Sequence, residues 1–222
     1  MVAGSTSASE PLDSVVIGAG QAGLSASYHL RRLGLQHVVL DADEAPGGAW
    51  QHRWDSLTMD DVHGVADLPD GPAPGRGSER ANVVIPAWFG QYERAHDLPV
   101  IRPVRVERVE SAGTLLVVRA GWLSWTTRTI VNATGTWSRP FVPFMPGQET
   151  FRGEQFHSVG FPGAEHVRGK RVLVVGGGAS AVQFLGLIRP VTDTIWVTRS
   201  EPVWRERIEE FDGRAAIAAR CR

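Results

Sequence analysis

The sequence predicts an α/β protein: a doubly wound parallel β-sheet domain carrying an antiparallel β-meander, then the first part of a second Rossmann-like domain. Three observations lead there. Near the start of the chain an apolar run, a glycine turn, a helical stretch and another apolar run follow one another. The same succession returns near the end. Between them lie strand-like runs around a short glycine turn, then a proline-rich connector. Strand, turn, helix, strand is the βαβ unit from which parallel sheets are built.

Each element has a local reason. Ser14-Val-Val-Ile17 is an apolar run between Asp13 and Gly18, as a buried parallel strand requires. From Gln21 to Leu33, Ala22, Ala26, Tyr28, Leu30 and Leu33 recur at helical spacing, and Gly34 supplies the stop. His37-Val-Val-Leu40 answers as a strand ending at Asp41. Ala45 to Arg80, rich in Gly, Pro and Asp, reads as loop. Pro86 to His96 reads as a helix and Val100 to Val109 as a strand. Runs 114–119 and 122–127 flank Ala120-Gly121 as an antiparallel hairpin, and Thr129 to Ala133 is a further strand. Pro140, Pro143, Pro146 and Gly147 stiffen a connector that marks a domain boundary. Beyond it come the strand Arg171–Val175, a helix over Val182–Ile188 stopped by Pro190, and the strand Thr194–Thr198.

Composition narrows the function classes. Hydrophobic residues make up 42% of the 222 and charged residues 21%, so a packed core is expected. A formal net charge of −1 points to neither nucleic acid nor a polybasic membrane anchor. The one cysteine, Cys221, excludes an intrachain disulfide, a Cys-x-x-Cys redox pair and a cysteine metal site within this sequence; no metal is expected. Residues 1–12 are small and polar, without the basic start and apolar stretch of a signal peptide, and read as a disordered lead. No apolar run approaches a membrane span, so the expected location is cytoplasmic.

The chemistry sits in the two glycine loops. In Gly18-Ala-Gly-Gln-Ala-Gly23, Gly18 allows the tight turn, Gly20 lets backbone approach a pyrophosphate, and Gly23 permits close helix–strand packing. The helix start presents free N–H groups to phosphate. Asp41, 23 residues after Gly18, is placed to accept hydrogen bonds from ribose hydroxyls; Asp43 and Glu44 compete for that role, but Asp41 directly follows the strand. The second loop has Gly176 and Gly178, with Ser180 before Ala181 at the third position, where alanine is tolerated. Its following strand leads to Arg199, also 23 residues on. An arginine there pairs with a 2′-phosphate and favours NADPH over NADH; the alternative is a surface cation at a strand end.

Together these features resemble the flavin-containing monooxygenase superfamily. The resemblance rests on Gly18–Gly23, Gly47-Gly-Ala-Trp50, Ala133-Thr-Gly135, and Phe151-Arg-Gly-Glu-Gln-Phe-His157 leading to Gly176–Ala181. Phe151, Gly153, His157, Phe161 and Pro162 fill the pattern F-x-G-x-x-x-H-x-x-x-[W/F/Y]-P, with phenylalanine where the Baeyer–Villiger form has tryptophan. The resemblance implies a lead over 1–12, a FAD-binding domain over 13–147, a linker over 148–170 and a partial NADPH-binding domain over 171–222. It places Gly18, Gly20, Gln21, Ala22, Gly23, Asp41, Gly47, Gly48, Trp50, Val104, Ala133, Thr134 and Gly135 around FAD. Gly176, Gly178, Ser180, Ala181 and Arg199 fall to NADPH. Trp50 packs near the flavin ring or is a core aromatic. Val104 meets the adenine through its backbone or is a buried strand valine. His157 couples the domains or makes linker hydrogen bonds.

The activity so implied is hydride transfer from NADPH to FAD, then transfer of one oxygen of O2 to a small organic substrate through a flavin C4a-(hydro)peroxide. No catalytic side chain is identified, and Leu57-Thr-Met-Asp-Asp61 lacks the asparagine that some members carry there. Only 52 residues run from Arg171 to Arg222, against roughly 100 for a complete domain, so the second domain is expected to be incomplete. The other readings are a flavin-dependent NADPH reductase and a non-catalytic nucleotide-binding protein.

Overall fold

The computed structural model describes residues 10–62 and 65–202. Most of the expected lead over 1–12 and residues 203–222 of the expected partial NADPH-binding domain lie outside the described residues. The chain divides into two compact units. One takes Met1–His52, Ala66–Gly75 and Asn82–Gly135; the other takes Arg53–Val65, Arg76–Ala81 and Thr136–Arg222.

The first unit is built on β1 (Leu12–Ile17), whose Val15 and Val16 are fully buried. Two strands flank it in parallel: β2 (His37–Leu40) on one side and β6 (Leu123–Asn132) on the other. The six-stranded sheet runs β3-β2-β1-β6-β5-β4, where β3 is Val100–Ile101, β4 is Arg108–Ala112 and β5 is Leu115–Ala120. The meander is therefore an extension of the parallel sheet. Its continuity comes from β6, which pairs antiparallel with β5 from Leu123 to Thr127 and parallel with β1 from Thr127 to Asn132. The separate strand expected after the hairpin is the second half of this one. Val15, Leu40, Val104, Val118 and Ala120 form one buried cluster, with Leu12, Ile17, Trp125 and Ile130 packed against it. Fully burying a side chain of this size contributes about 1.5–3 kcal/mol, which ties meander and parallel strands into one core.

Helix α1 (Gln21–Arg32) buries Gly23, Leu24, Ser27 and Tyr28, a single stripe at helical spacing. Gly34 stops it with φ +69. The Gly34 N–H donates to Arg31 O and the Leu35 N–H to Leu30 O, the paired bonds of a Schellman C-cap.

Two further expectations in this unit need correction. The strand-like run Val100–Val109 pairs only at Val100–Ile101 before the chain leaves the sheet, and pairing resumes at Arg108. Pro103 has no N–H to give a ladder. Helix α2 (Ala81–Ala95) begins five residues before Pro86, which read as its start. Proline in the second turn costs one helical hydrogen bond. Ile85, Phe89 and Tyr92 on the buried side offset that cost.

In the second unit, β7 (Arg171–Val175) pairs in parallel with β8 (Asp193–Val197), joined by α3 (Ala179–Ile188). Helix α3 starts three residues before the expected Val182 and buries Ala181, Val182, Leu185 and Ile188. The Phe184 ring packs on Trp54 and Phe161, each 4.7 Å away between centroids, and Gln183 Nε2 donates to Asp61 O at 3.1 Å. These contacts anchor residues 53–61 to this unit. Among the described residues no helix is long and apolar enough to cross a membrane.

Candidate functional site

The first glycine turn joins β1 to α1. Gly18 has φ +100, and an added Cβ would lie 2.5 Å from the Ala133 carbonyl oxygen, so both conformation and space demand glycine. A Cβ on Gly23 would lie 1.9 Å from Gly18 O, because the first helical turn rests directly on the glycine loop. Gly20 differs. Its backbone is extended (φ −77, ψ −174), and a Cβ there would meet nothing within 4 Å. That is the space a phosphate would need to reach the chain. As N-cap of α1, Gly20 gives no side-chain acceptor to the helix amides, and no acid stands in the first turn. The amides of the first helical turn therefore have no side-chain acceptor within the helix itself. Gln21 Nε2 donates to Ala66 O at 2.5 Å; Ala22 is exposed.

Around this turn the structure gathers Ala133, Gly47, Gly48 and Asp41. The Ala133 N–H donates to Ile17 O, carrying the end of β6 up to Gly18. Thr134 and Gly135 follow on the surface, with Thr134 Oγ1 donating to Asn132 Oδ1 at 2.9 Å. Gly47 has φ +129, with its Cβ position 2.7 Å from the Pro86 ring. Gly48 has φ +48, with its Cβ position 3.0 Å from Gly20 Cα. The Gly47-Gly48 arch is thus wedged between α2 and the first turn. The half-buried Trp50 lies in the 3-10 turn Gly48–His52 that continues from the arch.

Asp41 is 4% exposed and holds the loop together. Its Oδ2 accepts the Ala19 N–H at 2.6 Å, and its Oδ1 accepts the Asp43 N–H at 2.9 Å. A carboxylate offers about four lone-pair sites, so capacity for ribose hydroxyls remains. The Asp43 carboxylate is occupied by Gln51 Nε2 at 2.9 Å and His52 Nε2 at 3.1 Å. The Val104 N–H donates to Asp41 O at 2.6 Å, so its backbone donor is already used, and its side chain is 6% exposed.

Two residues went unread in the sequence. Arg102 donates to both Glu93 oxygens, at 2.8 and 2.6 Å, and its Nη2 is 3.8 Å from Asp41 Oδ2. Nothing local marks this set, because its members come from β2, α2 and the end of β3. Arg102 is one of four charged residues in the run 100–109, so its charge alone does not single it out.

The second turn repeats the design on β7 and α3. Gly176 has φ +134, and its N–H donates to Val197 O at 2.9 Å. Gly178 is the extended N-cap (φ −90, ψ 174), and a Cβ there would meet nothing within 4 Å. This turn is wider than the first: a Cβ on Gly176 would be 3.9 Å from the Ala181 methyl, which explains why alanine fits here. Trp196 Nε1 donates to Gly176 O at 2.7 Å and fixes the turn from β8. Ser180 is half-buried in the first helical turn, and Arg199 is exposed just past β8. His157 accepts the Val159 N–H on Nδ1 at 3.2 Å, capping the short 3-10 turn Ser158–Gly160.

Two strand–turn–helix units, each with an open extended glycine at the helix cap, define a protein of the dinucleotide-binding class. More particularly, the chain belongs to the pyridine nucleotide-disulphide oxidoreductase family, whose model matches residues 15–212. It is similar to a flavin-containing monooxygenase from Stenotrophomonas maltophilia, with 43% identity and a TM-score of 0.82 over 88% of this chain and 60% of that one. It is also similar to OTEMO, solved in complex with FAD and NADP, with 25% identity and a TM-score of 0.64 over 87% of this chain and 40% of that one. A Baeyer–Villiger monooxygenase of Streptomyces coelicolor is 32% identical over 209 residues, 85% of this chain and 38% of that protein. The chain spans about half the length of two further curated relatives, both uncharacterized Bacillus oxidoreductases, at 56% and 50%.

Proposed function

We propose that this chain binds FAD at the first glycine turn and NADPH at the second, in the service of a flavin monooxygenase. One atom of O2 enters a small organic substrate and the other leaves as water, with NADPH supplying the two electrons. The observation that carries the reading is the pairing of two open turns with opposite charges in the same register: Asp41 after the first, Arg199 after the second. A carboxylate suits free ribose hydroxyls, whereas a guanidinium suits a 2′-phosphate. The 43% identical solved relative is a flavin-containing monooxygenase, and OTEMO was solved with both FAD and NADP.

Bound flavin supplies two-electron exchange with a nicotinamide and the activation of O2. The chain's own residues bind and orient. The Gly20 backbone and the α1 amides would face the pyrophosphate, and Asp41 would hold the adenosine ribose. The Gly47-Gly48 arch would admit the cofactor close to backbone. At the second turn, Gly178, Ser180 and the α3 amides would face the nicotinamide dinucleotide's pyrophosphate, and Arg199 its 2′-phosphate. His157 would hold the linker segment by its cap.

The test is to purify the chain, identify any released flavin, and follow NADPH oxidation with isotopically labelled O2 and organic sulfides or ketones. FAD in the protein with labelled oxygen in the product supports the reading. NADPH oxidation that passes electrons to acceptors, with no label in any product, would instead make it a flavin-dependent NADPH reductase. FAD and NADPH binding without turnover would leave a nucleotide-binding protein.

A further inference from the structure

The buried charges beside Asp41 carry more than packing. Arg102 follows β3, and Glu93 lies on α2; the side chains of Asp41, Glu93 and Arg102 are 6, 10 and 10% exposed. Arg102 sets both terminal nitrogens on Glu93, a fork-to-carboxylate pairing that fixes the guanidinium plane. The same Nη2 that reaches Glu93 at 2.6 Å stands 3.8 Å from Asp41 Oδ2, the oxygen that accepts the Ala19 N–H of the glycine turn. The Asp41 backbone is bracketed as well: its N–H donates to Ile101 O at 3.1 Å, and its O accepts the Val104 N–H at 2.6 Å. Arg102 Nε is buried with no hydrogen-bond partner among the described residues. One cation therefore serves two carboxylates, and the set keeps a net charge of about −1 out of water.

That balance has a consequence for the ligand. A carboxylate steadied by a cation can accept from neutral hydroxyls. A set that stays negative opposes a further anion at the same place, and burial weakens the screening of that repulsion. We propose that Arg102, gripped by Glu93, is the positioning residue for Asp41, and that the Glu93–Arg102–Asp41 set restricts the first turn to adenine nucleotides with a free 2′-hydroxyl. The inference rests on the FAD reading of that turn.

The experiment uses the full chain and two flavin probes, FAD and FAD phosphorylated on its adenosine 2′-hydroxyl, so that flavin fluorescence reports binding. The wild-type chain should bind FAD at least about tenfold more tightly than the phosphorylated probe. Glu93→Gln removes one negative charge while keeping an acceptor for Arg102, and should narrow that ratio severalfold. Arg102→Met should weaken FAD binding by about tenfold or more, and Arg102→Lys should recover part of the loss. A merely structural role would weaken both probes together and leave their ratio unmoved. A ratio equal in wild type and Glu93→Gln overturns the selectivity inference, and Arg102→Met binding FAD as tightly as wild type overturns the positioning role. Thermal unfolding of each apoprotein guards against misfolding, and Glu93→Gln remains decisive if Arg102→Met does not fold. A wild-type chain that binds no FAD sinks the cofactor reading itself, an outcome distinct from FAD binding that is indifferent to these variants.

Discussion

Replacing Gly20 by alanine separates folding from binding at the first turn. The backbone there is extended and open to any residue, and the new methyl meets nothing within 4 Å. Alanine is a poorer N-cap than glycine by something under about 1 kcal/mol. Restricting the unfolded chain returns about 0.4–1 kcal/mol. Apoprotein stability should therefore stay within about 0.5 kcal/mol of wild type, a shift of no more than about 2 °C in Tm for a chain of this size. A pyrophosphate seated against Gly20 would meet the methyl directly. Overpacking of one methyl costs about 1–3 kcal/mol, which weakens FAD binding roughly 5- to 150-fold. The assay pairs a thermal melt of the apoprotein with flavin titration. An unchanged Kd would refute contact between the pyrophosphate and Gly20, while a large fall in Tm would refute the open space around it.

Other expectations follow from the same geometry. Gly23→Ala places a Cβ 1.9 Å from Gly18 O, so α1 must shift; a loss of about 3 kcal/mol is expected by urea unfolding, and an undisturbed midpoint would contradict the packing. Arg199→Glu should raise KM for NADPH about tenfold or more while KM for NADH and flavin content hold steady; a parallel rise for both nucleotides would argue against a 2′-phosphate contact. Tyr92 is pushed up to about 12 by burial first, then by Tyr28 and Asp70. An unfolded phenol ionises near the ordinary 10.0, so between those values the unfolded chain has lost a proton that the folded one keeps. The stability from keeping Tyr92 neutral is complete below about pH 10 and is lost as pH rises towards about 12. Tyr92→Phe should lack that alkaline fall, and an identical pH profile in the variant would place the effect elsewhere.

Signals within one turn of chain were legible. Gly18 and Gly34 carry their meaning locally: a tight turn and a helix stop, each bordering an apolar run. The strands of both βαβ units and the hairpin were readable for the same reason. What escaped was decided at a distance. Thr127 pairs with Leu12 across most of the first unit, so nothing near residue 127 announces that the hairpin strand continues into the parallel sheet. Pro103 ended a strand that apolar content alone would have continued, and α2 ran upstream of Pro86 because its buried face repaid one missing hydrogen bond.

The sequence by itself determined the two glycine turns and the opposite charges in register behind them, because strand, turn and helix are set by neighbours in the chain. Only the tertiary structure decided what surrounds Asp41. The sheet order brings β3 beside β2, and α2 supplies Glu93, so a buried arginine ends between two carboxylates that lie far apart in sequence. Charges taken out of water must find partners wherever the fold places them.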